Sequence, residues 1–221
     1  MIVIQQGSVA AGQTGVAVWN SGVLLTRLLD AAAAAAGDDD HVAFWRNQRV
    51  LELGCGTGLV SIALARLGAA RVVATDGNPQ VVKLAQDNIQ RNQCQETCKT
   101  SVLSWGQVVM EDDNEEEEEF DVVVGSDLTY NAGAWRDLAE TMAGMLRSGG
   151  NVLYLTLGHD GFNAQAELNG FLQVAQSQGL GVVPNLTHRL QQTMQRLVVQ
   201  PNEINTLETT GGVRVVVLEK T

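Results

Sequence analysis

The sequence predicts a single α/β domain in which a mostly parallel sheet carries helices on both faces. Three observations point there. Short β-branched runs alternate with helical spacings through the middle of the chain. One of these runs, Val122-Val123-Val124, is apolar without alternation, as a strand covered on both faces requires. With 221 residues and 45% apolar composition, the chain is long enough for one such domain with a substantial core.

The elements follow in order. Asn20 to Ala36 is expected to be a helix, with Leu24, Leu25, Leu28 and Leu29 along one side, closing an N-terminal helical extension over 1–48. An alanine run and Gly37-Asp38-Asp39-Asp40 form a low-complexity loop. Arg49 to Leu53 is the first strand and Leu59 to Leu67 a helix closed by Gly68. Arg71 to Thr75 is the second strand, followed by a helix from Gln80 to Asn92 opened by Pro79. Thr97 to Leu103 and Phe120 to Gly125 are the third and fourth strands. A helix from Ala134 to Leu146, a fifth strand from Asn151 to Leu157 and a helix from Asn163 to Gln178 complete the clear pattern. Beyond Gly179, Arg196 to Val199 and Val213 to Leu218 are expected as two final strands.

Charge and cysteine usage exclude several classes. The net charge of −11 is concentrated: Glu111 to Glu119 holds eight acids in nine positions, within an expected acidic loop insertion over 107–119. With those eight set aside, 14 basic residues face 17 acidic ones. No basic patch of the kind that tracks a phosphate backbone stands out, so nucleic acid is not the expected partner. Blocks of like charge repel one another, so the run is expected to form a mobile loop. Cys55, Cys94 and Cys98 do not make a disulfide framework, and with only three His in the chain no metal site is expected. Cys94 and Cys98 would share a face if they lay on a helix. The apolar stretch from Gly22 to Gly37 is broken by Arg27 and Asp30, so no membrane span is expected, and the N-terminus lacks the pattern of a signal peptide. A reducing compartment, the cytoplasm or the nucleus, is the expected location.

The strongest local signal is Glu52-Leu53-Gly54-Cys55-Gly56-Thr57-Gly58. A strand delivers the chain to a turn whose glycines let backbone approach a ligand, and a helix with unpaired N–H groups follows. A dinucleotide fingerprint needs glycine at the sixth position, where Leu59 stands. Asp76 ends the second strand 22 residues after Gly54, where a carboxylate accepts from both hydroxyls of a ribose. A nucleoside-bearing cofactor follows from this combination, and a nicotinamide-dependent oxidoreductase is disfavoured.

Ser126-Asp127-Leu128-Thr129-Tyr130 directly follows the fourth strand, at the rim where open α/β sheets hold ligands. A carboxylate and a phenol three residues apart can orient an amine. Asp127 can equally cap the following helix while Tyr130 packs. Trp19, before the first helix, and Trp105, after the third strand, are candidates for contact with a cofactor or for the core.

Taken together, Gly15, Val18-Trp19, the Glu52–Leu59 loop, Asp76, Trp105-Gly106 and Phe120 to Tyr130 resemble the family-16 lysine methyltransferases, the nicotinamide methyltransferase-like group. The resemblance spans about Gly15 to Leu157 and implies a Rossmann-like seven-strand methyltransferase fold using S-adenosylmethionine. It implies that Glu52, Gly54 and Gly56 line the cofactor pocket and that Asp76 holds the ribose. It further implies that Trp105 lies near the adenine and Trp19 near the methionine part, that Ser126 contributes backbone, and that Asp127 and Tyr130 position an acceptor lysine of a protein substrate. The acidic run is outside the family pattern. A small-molecule N-methyltransferase, or a binding module that keeps the fold without catalysis, are the alternatives. The absence of an Asn-Pro-Pro-Tyr sequence counts against amide or adenine nitrogen as the acceptor.

Overall fold

The computed structural model describes residues 1–7, 14–36, 41–107, 119–158, 164–199 and 212–221. The strands are β1 (Arg49–Leu53), β2 (Arg71–Asp76), β3 (Cys98–Val102), β4 (Phe120–Ser126), β5 (Leu146–Leu157), β6 (Leu180–Val182) and β7 (Val213–Lys220). The helices are α1 (Asn20–Ala35), α2 (Leu59–Arg66), α3 (Pro79–Arg91), α4 (Trp135–Met145), α5 (Ala164–Ser177) and α6 (Pro184–Val199). The strands form one seven-stranded sheet in the order β3-β2-β1-β4-β5-β7-β6. β3 through β5 run parallel, and β7 is antiparallel to both of its neighbours, β5 and β6.

Side chains alternate across each strand, so the sheet divides the core into two layers. Val50, Val72, Val124, Leu153 and Val217 point to one face, where Leu24 and Leu28 of α1, Ile62 of α2, Ile89 of α3 and Leu190 of α6 cover them. Leu51, Val73, Val123, Tyr154 and Val216 point to the other, beneath Leu138 and Met142 of α4 and Phe171 of α5. Residues buried on both faces explain why the central strands lack hydrophobic alternation.

The C-terminal third departs from the sequence expectation. Arg196 to Val199 is not a strand but the last turn of α6. Read alone, Leu197-Val198-Val199 has strand character. Its helix becomes visible only through Leu186, Leu190 and Met194, spaced four apart, of which Leu190 and Met194 are fully buried against the sheet. The sixth strand is instead the three-residue β6, too short to carry a period. Cys94 and Cys98 also do not share a helix, because α3 ends at Arg91 and Cys98 opens β3. The N-terminal extension is helical only in part, since residues 1–7 lie extended against α3. The acidic residues 111–118 lie outside the described residues, and Glu119 is exposed. Among the described residues no helix is long and apolar enough to cross a membrane.

Candidate functional site

At the carboxyl ends of β1, β2 and β4 the structure holds a cavity of about 500 Å³. All nine residues expected from the sequence line it: Trp19, Glu52, Gly54, Gly56, Asp76, Trp105, Ser126, Asp127 and Tyr130. Sequence reasoning gave Val18 no role in its wall and missed Ala17 beside it, and also Asn78, whose position before Pro79 was readable as a helix cap. Its side chain accepts from Gln80 N at 2.9 Å.

The turn after β1 is built for close approach. Gly54 has φ +63°, and a Cβ there would lie 2.6 Å from Leu128 Cδ2. Gly56 has φ +52°, and a Cβ would meet the Gly15 carbonyl oxygen at 3.2 Å. Any side chain at either position would be strained and would press on Leu128 or Gly15, which line the cavity. Cys55 N donates to Thr75 O at 2.7 Å, fixing this turn to β2. From the end of β2, the Asp76 carboxylate accepts from Gly56 N (3.3 Å) and Asn78 N (3.0 Å). These bonds orient the group and still leave lone pairs for two hydroxyl donors. Burial raises the pKa of Asp76 above its ordinary value, opposed by the backbone donors of Asn78, Gly56 and Gly77.

Glu52 is 3% exposed at the end of β1. Its carboxylate accepts from the Ser61 hydroxyl of α2, and Thr75 Oγ1 donates to its backbone carbonyl at 2.7 Å. Burial pushes its pKa up to about 8; the Ser61 hydrogen bonds lower it and the nearby Asp76 raises it further. Glu52 therefore carries a proton for much of the time near neutral pH unless a cation enters the cavity.

The segment after β4 is held by groups that the sequence did not mark. Asp127 sits at φ +58°, a conformation uncommon for residues with a side chain. Its N–H donates to Leu155 O at 2.8 Å, and its Oδ1 accepts from Leu157 N at 3.2 Å. Capping of the following turn falls instead to Asn131, whose Oδ1 accepts from Gly133 N. Behind the segment, the buried Tyr154 hydroxyl of β5 accepts from Leu128 N (3.0 Å) and Thr129 N (3.1 Å) and lies 2.8 Å from Thr129 Oγ1. Thr129 Oγ1 donates to Glu167 of α5, and Trp135 Nε1 donates to Thr129 O at 2.7 Å. Leu128 and Thr129 are thus drawn inward, while Tyr130 is left 68% exposed at the cavity mouth.

Trp19 is also at the mouth, 49% exposed, as the extended residue from which α1 starts. Trp105 is half-buried and packs against the α4–α5 layer. The Trp105-Gly106 turn is pinned to α4 by Gly106 N donating to Thr141 Oγ1 at 2.7 Å.

A family model described as lysine methyltransferase matches residues 2–166, three quarters of the chain. The chain belongs to the lysine methyltransferase family. Over 139 residues it is 32% identical to the protein-lysine N-methyltransferase EFM3 of Chaetomium thermophilum, covering 60% of this chain and 39% of that protein. Over 108 residues it is 36% identical to the calmodulin-lysine N-methyltransferase of Arabidopsis thaliana, covering 47% and 34%. The matches thus span about two fifths and one third of these curated relatives. The N-methyltransferase NodS of Bradyrhizobium japonicum WM9, solved with S-adenosyl-l-homocysteine, superposes with a TM-score of 0.55 at 15% identity, over 89% of this chain and 85% of that one. At that identity the likeness shows the fold.

The cavity fits S-adenosylmethionine, the cofactor that the sequence resemblance implies. Its volume is in the range that takes a ligand of this size. The glycine turn has no room for a Cβ against Leu128 and Gly15, both of which line the cavity. The buried Glu52 and partly buried Asp76 supply acceptors for a molecule bearing hydroxyls and positive charge.

Proposed function

We propose that this chain is an S-adenosylmethionine-dependent N-methyltransferase acting on a lysine side chain of a protein substrate. The observation that carries this reading is the meeting of two sets of residues in one cavity. The Gly54–Gly56 turn, Glu52 and Asp76 line its interior, while Asp127 and the exposed Tyr130 flank its mouth. Both named relatives are protein-lysine methyltransferases, which favours a lysine acceptor.

In the proposed arrangement Asp76 accepts from the ribose hydroxyls, and Glu52 faces the positively charged part of the ligand. Trp105 lies toward the adenine, Trp19 toward the methionine chain, and Ser126 offers backbone. When bound, S-adenosylmethionine supplies a methyl group on a sulfonium, ready for in-line displacement by a nitrogen lone pair. The chain's part is alignment. Asp127 attracts the cationic lysine, and with Tyr130 it orients the nitrogen after proton loss. A free lysine has a pKa near 10.4, and leaving bulk water at the mouth favours its neutral form. Cys55, Cys94 and Cys98 are buried and not linked to one another, and we read the location as cytoplasmic or nuclear.

The test is a set of variants assayed for both binding and turnover. Asp76→Ala should weaken S-adenosylmethionine binding about tenfold or more, as loss of one or two good hydrogen bonds implies. Asp127→Asn and Tyr130→Ala should cut methylation about tenfold or more while cofactor affinity stays within about twofold of wild type. The Asn variant is used because Asp127 Oδ1 also accepts from Leu157 N. Wild-type turnover in both mouth variants would show that these residues serve the fold alone.

A further inference from the structure

Residues 1–7 are extended, yet they pair with a helix rather than with a strand. Asn92 Oδ1 accepts from Val3 N at 3.0 Å, and Asn92 Nδ2 donates to Val3 O at 2.6 Å. One turn earlier, Asn88 Oδ1 accepts from Gln5 N (2.8 Å) and Asn88 Nδ2 donates to Gln5 O (2.9 Å). The spacing makes this possible. Two residues of extended chain advance about 6.6 Å, and four residues of helix advance about 6 Å. Side-chain amides four apart, Asn88 on α3 and Asn92 at its C-cap, therefore present a donor and an acceptor to every second residue of the segment, as a neighbouring strand would. Asn88 is fully buried and Asn92 nearly so.

The segment then turns onto the cavity. Gly7 N donates to Val16 O at 2.9 Å, and Gln6 Oε1 accepts from Val18 N at 2.8 Å. Val16 and Val18 belong to the stretch Gly15 to Trp19, which forms one wall of the cavity, and the Gly15 carbonyl lies against Gly56. Asn88 Nδ2 also donates to Thr57 O at 3.0 Å, in the same glycine turn. One side chain thus ties the extended segment to the turn, and the segment ties the wall to both.

We propose that residues 3–7, docked on the Asn88–Asn92 pair and joined to Val18 through Gln6, position the Gly15–Trp19 wall and so set affinity for the cofactor. This rests on the assignment of the cavity to S-adenosylmethionine. Gln6 and Asn92 do not line the cavity; they act through the wall and are positioning residues.

The test uses the full chain with Gln6→Leu, Gln6→Glu and Asn92→Ala. It reads calorimetric binding of S-adenosylhomocysteine well below the melting temperature, the melting temperature itself, and KM for S-adenosylmethionine against kcat. Gln6→Leu should raise the dissociation constant and KM about fivefold, as loss of one ordinary hydrogen bond does. Its kcat at saturating cofactor and its melting temperature should stay near wild type. Gln6→Glu keeps the acceptor for Val18 N and should retain affinity. Asn92→Ala should weaken binding in the same direction as Gln6→Leu. Unchanged affinity in Gln6→Leu, equal loss in Gln6→Leu and Gln6→Glu, or an Asn92→Ala protein that melts earlier but binds as wild type would each overturn the proposal. A wild-type protein that binds no S-adenosylhomocysteine would instead overturn the cavity assignment, and the proposal with it.

Discussion

At the scale of single residues, Glu52 illustrates how burial changes chemistry. With a folded pKa pushed up to about 8 from an ordinary 4.5, it keeps its proton in the native state while the unfolded chain loses it. Its contribution to stability is fully present below pH 4.5 and is lost as pH rises through about 8. Asp76, also raised by burial, adds a slope of the same sign from lower pH. Melting temperatures of the ligand-free protein should therefore fall across this window. Glu52→Gln should flatten the fall, leaving only the Asp76 part; equal slopes in the two proteins would show that Glu52 is not buried as described. The presence of an acid at this point was legible, because it precedes a glycine turn. Its burial and its bond to Ser61 were not, because they depend on how α2 folds back over β1. Asp127 teaches the same lesson. Its place at the rim was readable, whereas its φ of +58° and its bond to Leu157 N come from β5, thirty residues away in sequence.

At the scale of elements, the segment after β4 depends on β5 and α5. The buried Tyr154 and Thr129 and the partly buried Glu167 form a polar cluster that fixes Leu128 and Thr129 and turns Tyr130 outward. Thr129→Val removes the hydroxyl between Tyr154 and Glu167. It should reduce kcat several-fold, in line with the sensitivity of turnover to sub-ångström placement, with cofactor affinity unchanged. Thr129→Ser, which keeps the hydroxyl, should restore most of the rate, as steady-state kinetics would show; an equally slow Ser variant would argue against the hydrogen bond. None of these partners was visible in sequence, where Tyr154 was simply an aromatic in a strand. The element most misread was α6. Leu190→Ala should cost about 2–5 kcal/mol, as truncation of a buried leucine does, measurable by denaturant unfolding. A negligible cost would contradict the placement of this helix against the sheet.

At the scale of the molecule, β1, β2, β4 and β5 and the helices beside them were legible because each carries its own hydrophobic run, bounded by glycine, proline or asparagine. β3, Cys98-Lys99-Thr100-Ser101-Val102, was legible mainly from its place between a helix and the Trp105-Gly106 turn. The sheet order was less so. Nothing local in Val213 to Lys220 says that β7 inserts antiparallel between β5 and β6. The consequence of that order is functional. β1 and β4 are neighbours at the centre, so the glycine turn and the Asp127–Tyr130 segment open into one cavity although more than seventy residues separate them. In the proposed function this cavity passes a methyl group from S-adenosylmethionine to a protein lysine. The most direct measurement is to incubate the protein and its Asp127→Asn variant with S-adenosylmethionine carrying a labelled methyl group and fractionated cell protein, hydrolyse the labelled bands, and identify the modified amino acid. Label in methyl-lysine with the wild type, and about tenfold less or lower still with the variant, is the predicted result. Label in any other amino acid or only in small molecules, or no transfer at all despite cofactor binding, would contradict it.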